Sequence, residues 1–258
     1  MIAESFPSAR SSGCRFTPPA PPSLHALELS VVIPVLDQAG TLAACITQAR
    51  RALDASGVAG EIVVVDQGST DGSPRLAESL GARVVQATAA PYGSAVMAGV
   101  AASIGRHILV GDADGSYDFG QLPRFVAKLR EGFDFVQGCR LPRGGGTVSR
   151  GAMPGFERWC GVPVSSWVVR RRFAAPVSDV HCGMRAFSRA LYLQLGQRCT
   201  GTEFGLESVV RAGMLGARIA EVPITLGREA GATARRMTSQ HVRDGLRHLR
   251  VHLLRRSQ

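Results

Sequence analysis

Between residues 29 and 139, short apolar runs alternate with segments of helical spacing. Leu29–Pro34 (LSVVIP) and Glu61–Asp66 (EIVVVD) are brief and rich in β-branched residues, which predicts two strands buried on both faces. Ala82–Gln86, His107–Asp112 and Phe133–Gly138 read as three more. Between them, Thr41–Ala55, a stretch from about Ser73, Ser94–Ile104 and Gln121–Arg130 carry helical spacing. Strands alternating with helices predict an α/β fold with a doubly wound, mostly parallel sheet. Ligands of such sheets bind outside the carboxyl ends of the strands, where Pro34, Asp66 and Asp112 fall.

The rhythm changes after Arg140. Gly144–Gly146 reads as a flexible loop, and Val162–Phe173 as an apolar stretch closed by Arg170, Arg171 and Arg172. A mixed region with Asp179–Phe187 precedes a helix around Glu203–Gly213 and a last strand at Arg218–Thr225. His241–Leu254 is predicted as a C-terminal amphipathic helix, with Val242, Leu246, Leu249 and Leu253 on one face and Arg243, Arg247 and Arg250 elsewhere. Residues 1–28, rich in Ser, Pro and Ala without periodicity, read as a disordered leader. No second domain or internal repeat is visible.

At 258 residues, 45% hydrophobic and 19% charged, the chain has the composition of one globular domain. No run approaches the roughly 18 apolar residues of a spanning helix, and the first ten residues lack the apolar core of a signal peptide. Six cysteines without a CxxC pair fit reduced thiols and a cytoplasmic location. The net charge of +10 is concentrated late in the chain. Seven arginines face Glu157 alone between residues 140 and 172, and eight face two acids from Arg228 onward. Such blocks suit anionic headgroups or phosphorylated substrates; nothing beyond charge supports nucleic acid.

Asp112-Ala113-Asp114 directly follows a predicted buried strand. Two carboxylates one residue apart can share a hard cation such as Mg²⁺ or Mn²⁺, with donor phosphates completing the shell. Asp66 ends another strand and can accept a hydrogen bond from the N–H edge of a uracil or guanine. Asp71 and Ser69 are expected to cap the next helix. His181 reads as a packing residue, and His241, His248 and His252 as a polar helix face rather than a metal site.

The segments VVIPVLDQAGTL, VVVDQGSTDGS, GDADGSYDF, QGCR, DVHCGMRAF, EVPITL and RDGLRHLR occur in this order. Together they resemble the family 2 glycosyltransferases, in the branch of dolichyl- and polyprenyl-phosphate glucosyl- and mannosyltransferases. The resemblance runs from about residue 29 to residue 254. It implies a single GT-A domain at 29–258, with 29–140 as the nucleotide-binding half and 141–258 as the acceptor- and membrane-facing half. It also implies an inverting hexosyl transfer from UDP-glucose or GDP-mannose to a polyprenyl monophosphate, with Mg²⁺ or Mn²⁺.

By motif position, Pro34, Leu36, Gln38, Val64 and Asp66 would line the base and ribose pocket, joined on the donor side by Asp112 and Ala113. Asp112 and Asp114 would bind the metal, with Ser116 where relatives often offer Gln. Arg140 would lie near the transferring phosphates, and Asp179 and Arg185 beside the acceptor, completing with Asp114 the expected catalytic set. Arg158, Arg235 and Arg236 are further candidates for the acceptor phosphate. The chain departs from the family at Asp37-Gln38, usually Asn-Glu, and at Asp66-Gln67, usually Asp-Asp or Asp-Asn. Gln38 can still hydrogen-bond a ribose or base, as a neutral group.

A phosphate monoester acceptor needs no general base, because its second pKa is about 6 and it arrives ionised. Electrostatics then carries the reaction, and clustered arginines supply it. Two alternatives stand beside this reading. One is transfer to a soluble hydroxyl, with Asp179 or Glu203 as base. The other is a non-catalytic sugar-nucleotide-binding relative. The preferred reading places the protein at the inner face of a membrane, held peripherally by Val162–Phe173 and the C-terminal helix.

Overall fold

A computed structural model describes residues 27–228. The C-terminal helix expected at His241–Leu254, Arg235 and Arg236, and nearly all of the leader lie outside the described residues. Leu29–Val35 (β1) is buried along its whole length and pairs in parallel with Gly60–Asp66 (β2) on one side and His107–Val110 (β4) on the other. Arg83–Gln86 (β3) adds to β2 in parallel. Phe135–Cys139 (β5) pairs in parallel with Ile219–Pro223 (β8), and Arg185–Ser188 (β7) lies antiparallel between β4 and β5. The resulting order is β3-β2-β1-β4-β7-β5-β8. Thr147–Val148 (β6) and Thr225–Leu226 (β9) form a separate parallel ribbon.

Alternation along the strands splits the core in two. Val31, Ile33, Val35 and Val64 meet Ala39–Ala55 (α1), Ser73–Ser79 (α2) and Leu122–Arg130 (α4) through Leu42, Ile46, Ala77 and Phe125. Val32, Val63, Val65 and Ile108 meet Tyr92–Ala102 (α3), Arg189–Leu195 (α6) and Phe204–Met214 (α7) on the other face. Helices on both faces of a mostly parallel sheet explain why these strands are continuously apolar.

Three features differ from the sequence-based expectation. The mixed region around Asp179–Phe187 contains β7, a central strand of four residues whose neighbours are 70 or more positions away in β4. The apolar stretch Val162–Phe173 is a helix (α5), entered through a π-helical turn at Glu157–Gly161. The last predicted strand divides into β8 and β9. Because β7 and β8 come from the second half of the chain and complete the sheet begun by the first, the halves interleave in one domain.

Between β1 and β4 the strand order reverses, which opens a crevice at their carboxyl ends. On the α3 side the sheet approaches closely: a Cβ on Gly99 would lie 2.5 Å from Val32 and 2.6 Å from Val65. Gly99→Val is therefore expected to destabilise the fold by about 1–3 kcal/mol through overpacking, measured as a lower midpoint in urea denaturation.

Candidate active site

The carboxyl ends of β1 and β2 are sewn together before any ligand is considered. Asp37, at φ 51°, accepts the Thr70 N–H (2.7 Å) while its own N–H donates to Ser69 Oγ (3.0 Å). Asp71 accepts from the Ala39 N–H (2.8 Å) at the start of α1 and from the Ser73 N–H and hydroxyl (2.9 and 2.6 Å). This corrects part of the capping expectation: Asp71 serves both α1 and α2, whereas Ser69 braces Asp37 rather than a helix. Asp66 is buried at the end of β2, where its Oδ1 accepts the Ser69 N–H (3.0 Å). The Gln67 amide reaches Val35 O (3.4 Å), so this departure from the family pattern ties β2 to β1.

The loop after β4 carries Asp112 and Asp114. The Tyr92 hydroxyl, from the start of α3, donates to Asp112 Oδ1 (2.9 Å). The Ser116 N–H and hydroxyl donate to Asp114 Oδ1 (2.8 and 2.6 Å). Between them, Ala113 is buried, and its carbonyl accepts from the Thr41 hydroxyl. Burial, and then the charge of Asp114, push the Asp112 carboxyl up to about 6, against the pull of Tyr92, Arg185 and Arg140. Two carboxylates that repel in this way, each with an oxygen outside these hydrogen bonds, are suited to a hard divalent cation. No cluster of three His, Cys, Asp or Glu stands ready among the described residues. The chain thus offers two ligands, the number with which Mg²⁺ sites often combine phosphates and water.

Gly183 brings the second half of the chain to these carboxylates. A Cβ there would lie 2.5 Å from Asp112 Oδ2 and 2.9 Å from the Tyr117 hydroxyl, which accepts the Gly183 N–H (2.8 Å). Two residues on, Arg185 is buried, and its guanidinium donates to the Cys182 and Gly183 carbonyls and lies against the first turn of α7. Its Nη1 has no protein partner. Burial holds the nearby His181 imidazole down at about 4, so it is neutral at physiological pH.

Arg140 and Asp179 meet each other. The guanidinium is 1% exposed and the carboxylate 0%, joined by Nε–Oδ2 and Nη2–Oδ1 bonds of 2.7 and 2.8 Å, with the Arg140 N–H adding a third at 3.0 Å. Burial opposes both charges, and each partner outweighs it: Arg140 is held well above the usual guanidinium value and Asp179 below the usual carboxylate value. The sequence places Arg140 near the transferring phosphates and Asp179 beside the acceptor, and the structure shows their charged groups spent on each other. Both are closed off, and they fix the loop that presents Gly183 and Arg185. Glu221 and Gln137 reinforce that loop, accepting the Ser178 and Asp179 N–H groups (2.6 and 3.0 Å) and donating to the Asp179 and Cys182 carbonyls (3.0 and 3.1 Å).

The other expected residues divide. Leu36 and Gln38 are partly exposed just past β1, at the crevice, and Pro34 is buried in that strand. Val64 is fully buried in the core under α1, which removes it from a pocket wall. Ser116 orients Asp114 through its hydroxyl, and Arg158 stacks on Trp159 at 5.1 Å on the π-helical turn. Tyr92 and Tyr117 were not singled out from the sequence. They are two of the chain's three tyrosines, and each follows a strand at its carboxyl end, the one signal that could have found them.

The sequence profile of the family described as "Glycosyl transferase family 2" matches residues 30–196. A low-salt glycan biosynthesis hexosyltransferase of Haloferax volcanii is 36% identical over 88% of this chain, which spans 53% of that relative's length. A dolichyl-phosphate hexose transferase of the same organism is 35% identical over 67% of this chain and 72% of its own. Among solved structures, glucosyl-3-phosphoglycerate synthase from Mycobacterium tuberculosis, in complex with Mn²⁺, UDP and glucosyl-3-phosphoglycerate, superposes with a TM-score of 0.65 at 21% identity. The match covers 86% of this chain and 78% of that one. The likeness establishes the GT-A fold.

The ion pair yields a stability prediction. Arg140→Met leaves Asp179 buried without its partner and should cost about 3–5 kcal/mol, while the double variant Arg140→Met/Asp179→Leu should recover much of that loss. Because the folded pKa of Asp179 is depressed, its contribution is complete above the unfolded value of 3.8 and is lost as pH falls through the folded one. Urea denaturation of wild type and both variants between pH 7 and pH 2 checks the magnitude and the sign.

Proposed function

Since the chain belongs to glycosyltransferase family 2, we propose that it transfers a hexose, with inversion, from UDP-glucose or GDP-mannose to a polyprenyl or dolichyl monophosphate. The observation that carries this reading is the closure of Asp179. A hydroxyl acceptor needs a base, and of the two candidates Asp179 is buried, ion-paired and held below the usual carboxylate value, which leaves that reading with Glu203 alone. An acceptor phosphate arrives already ionised and requires none. The name of the dolichyl-phosphate hexose transferase relative points the same way.

Each residue then has a part. Asp66 receives the N–H edge of the base, and Leu36 and Gln38 border the nucleoside at the end of β1. Asp112 and Asp114 would hold Mg²⁺ or Mn²⁺ with the donor diphosphate, and the cation would neutralise the leaving nucleoside diphosphate. Tyr92 and Ser116 keep those two carboxylates oriented. Arg185, with a free Nη1 beside Asp112, orients the anionic acceptor. The acceptor oxygen forms a bond to the anomeric carbon as the bond to the diphosphate breaks, so no proton moves. Because the lipid tail stays in the bilayer, the enzyme works peripherally, at the inner face of the membrane.

Two predictions test the roles. Asp112→Asn and Asp114→Asn should each lower transfer at least 100-fold with the fold intact by circular dichroism; near-normal turnover of both at saturating Mn²⁺ would remove the metal assignment. Asp66→Ala should weaken binding of the free nucleoside diphosphate by roughly 1.5–3 kcal/mol in calorimetry, whichever acceptor is used. The acceptor itself is decided by a product assay offering polyprenyl phosphate against soluble hydroxyl acceptors.

A further inference from the structure

The π-helical turn Glu157–Gly161 and α5 form one continuous helical run with two unlike faces. Met153, Glu157, Gly161, Val162, Ser165, Ser166, Val169 and Phe173 are buried. Phe156, Trp159, Val164 and Trp167 stand out on the other side, 72%, 70%, 54% and 56% exposed. Three-residue steps join Phe156 to Trp159 and Val164 to Trp167, and the five-residue step between the two pairs runs out of the wider π-helical turn. They are four of the eight large hydrophobic side chains exposed among the described residues, gathered in twelve positions. The stripe also holds both tryptophans of the whole chain.

The charge around the stripe is of one sign. Arg158 stacks on Trp159, and Arg170, Arg171 and Arg172 are exposed where α5 ends. Between residues 149 and 178 the one acid is Glu157, and it is buried. A second copy laid symmetrically on this face would set arginine against arginine with no exposed carboxylate to answer it. A surface of anionic lipid answers both features: phosphate pairs with the arginines, and the headgroup boundary takes the amphipathic aromatic rings.

We infer that this face, Phe156, Trp159, Val164 and Trp167 with the arginines at 170–172, docks the protein onto an anionic bilayer. The inference rests on the proposed membrane-borne acceptor and names the surface that meets the membrane. The helix is also well placed to deliver the site. Its opposite face holds Ser166, whose hydroxyl oxygen accepts the Val180 N–H (3.3 Å) in the loop that carries Asp179 and leads to Gly183. That loop therefore lies about one helix diameter, roughly 10 Å, from the docked surface. No helix among the described residues is long and apolar enough to cross the membrane, so attachment through this face is interfacial.

Because both tryptophans lie in the stripe, intrinsic fluorescence reports it directly, separately from binding through any other part of the chain. With vesicles containing phosphatidylglycerol at low salt, the full-length protein should co-sediment, its emission should shift to the blue, and brominated lipid should quench it. Phosphatidylcholine vesicles should do none of these. Arg170→Gln/Arg171→Gln/Arg172→Gln should lower the partition coefficient about 100-fold and reduce the shift. Phe156→Ser/Trp159→Ser/Trp167→Ser should lower co-sedimentation while leaving turnover of a short-chain, water-soluble polyprenyl phosphate at the wild-type rate. Co-sedimentation without a spectral shift overturns the inference, as does wild type remaining in the supernatant. A blue shift that grows with protein concentration in the absence of lipid assigns the face to a second copy and overturns it too. Failure of wild type to glycosylate any polyprenyl phosphate, with the lipid-dependent shift present, would refute the acceptor assignment and leave the docking surface standing.

Discussion

The buried pairing of Arg140 with Asp179 sets where the two halves of the site meet. Arg140 directly follows β5, a strand of the first half, and Asp179 begins the loop that returns as β7. Neither charge can leave, because each is the compensation for the other in a place without water. With that corner fixed, the chain from Val180 to Met184 has one route into the sheet. It passes Gly183 against Asp112 and Tyr117, then enters β7 with Arg185 between β4 and β5. The distance between the carboxylates of the first half and the cation of the second is thereby a property of the scaffold. Preorganised charge of this kind does not have to be assembled when substrate arrives.

The arrangement also explains the chemistry available. Burial first, and then the nearby charge of Asp114, raise the proton affinity of Asp112. Arg140 helps only from a distance, since its hydrogen bonds go to Asp179. Arg185 remains as the nearby cation with an unpartnered N–H. With Asp179 locked in its ion pair, the site is left with two carboxylates and one guanidinium that has an unpartnered N–H. It is well equipped to manage anions that arrive and depart.

Much of this was legible before the fold was seen, for local reasons. β1 and β2 are continuous β-branched runs, and the alternation of such runs with helical spacing leaves few arrangements other than a doubly wound sheet. Asp66 and Asp112 could be placed at strand ends because strand ends are marked by where an apolar run stops. β7 was not legible: RAFS is four residues long with no periodicity, and it is a strand only because β4 and β5 leave a gap for it. Val64 was misplaced for another reason. Val64 shares the face of Asp66 but lies two residues deeper along β2, where the helices on that side cover it, and the sequence does not mark how far down the strand that cover extends. Arg140 and Asp179 stood out as motif residues, but their contact spans 39 positions, and spacing alone could not show that each would consume the other. Tyr92 lies at a helix start whose neighbour, Asp112, is 20 residues on.

Helix α5 joins these observations to the proposed membrane surface. Its buried face is unusually polar, with Ser165 and Ser166 returning their hydroxyls to carbonyls one turn back, and Ser166 also receiving Val180. Small residues there let the helix approach the 179–182 loop closely, and Val169 and Phe173 then anchor it in the core shared with α7. The exposed face carries Phe156, Trp159, Val164 and Trp167, which no apolar core among the described residues covers. Among the described residues, the contact made by these tryptophans is the stacking of Arg158 on Trp159, which an exposed position makes worth only about 0.5–1 kcal/mol. A surface that brings an anionic, lipid-borne acceptor to Arg185 gives those residues a physical reason to be where they are.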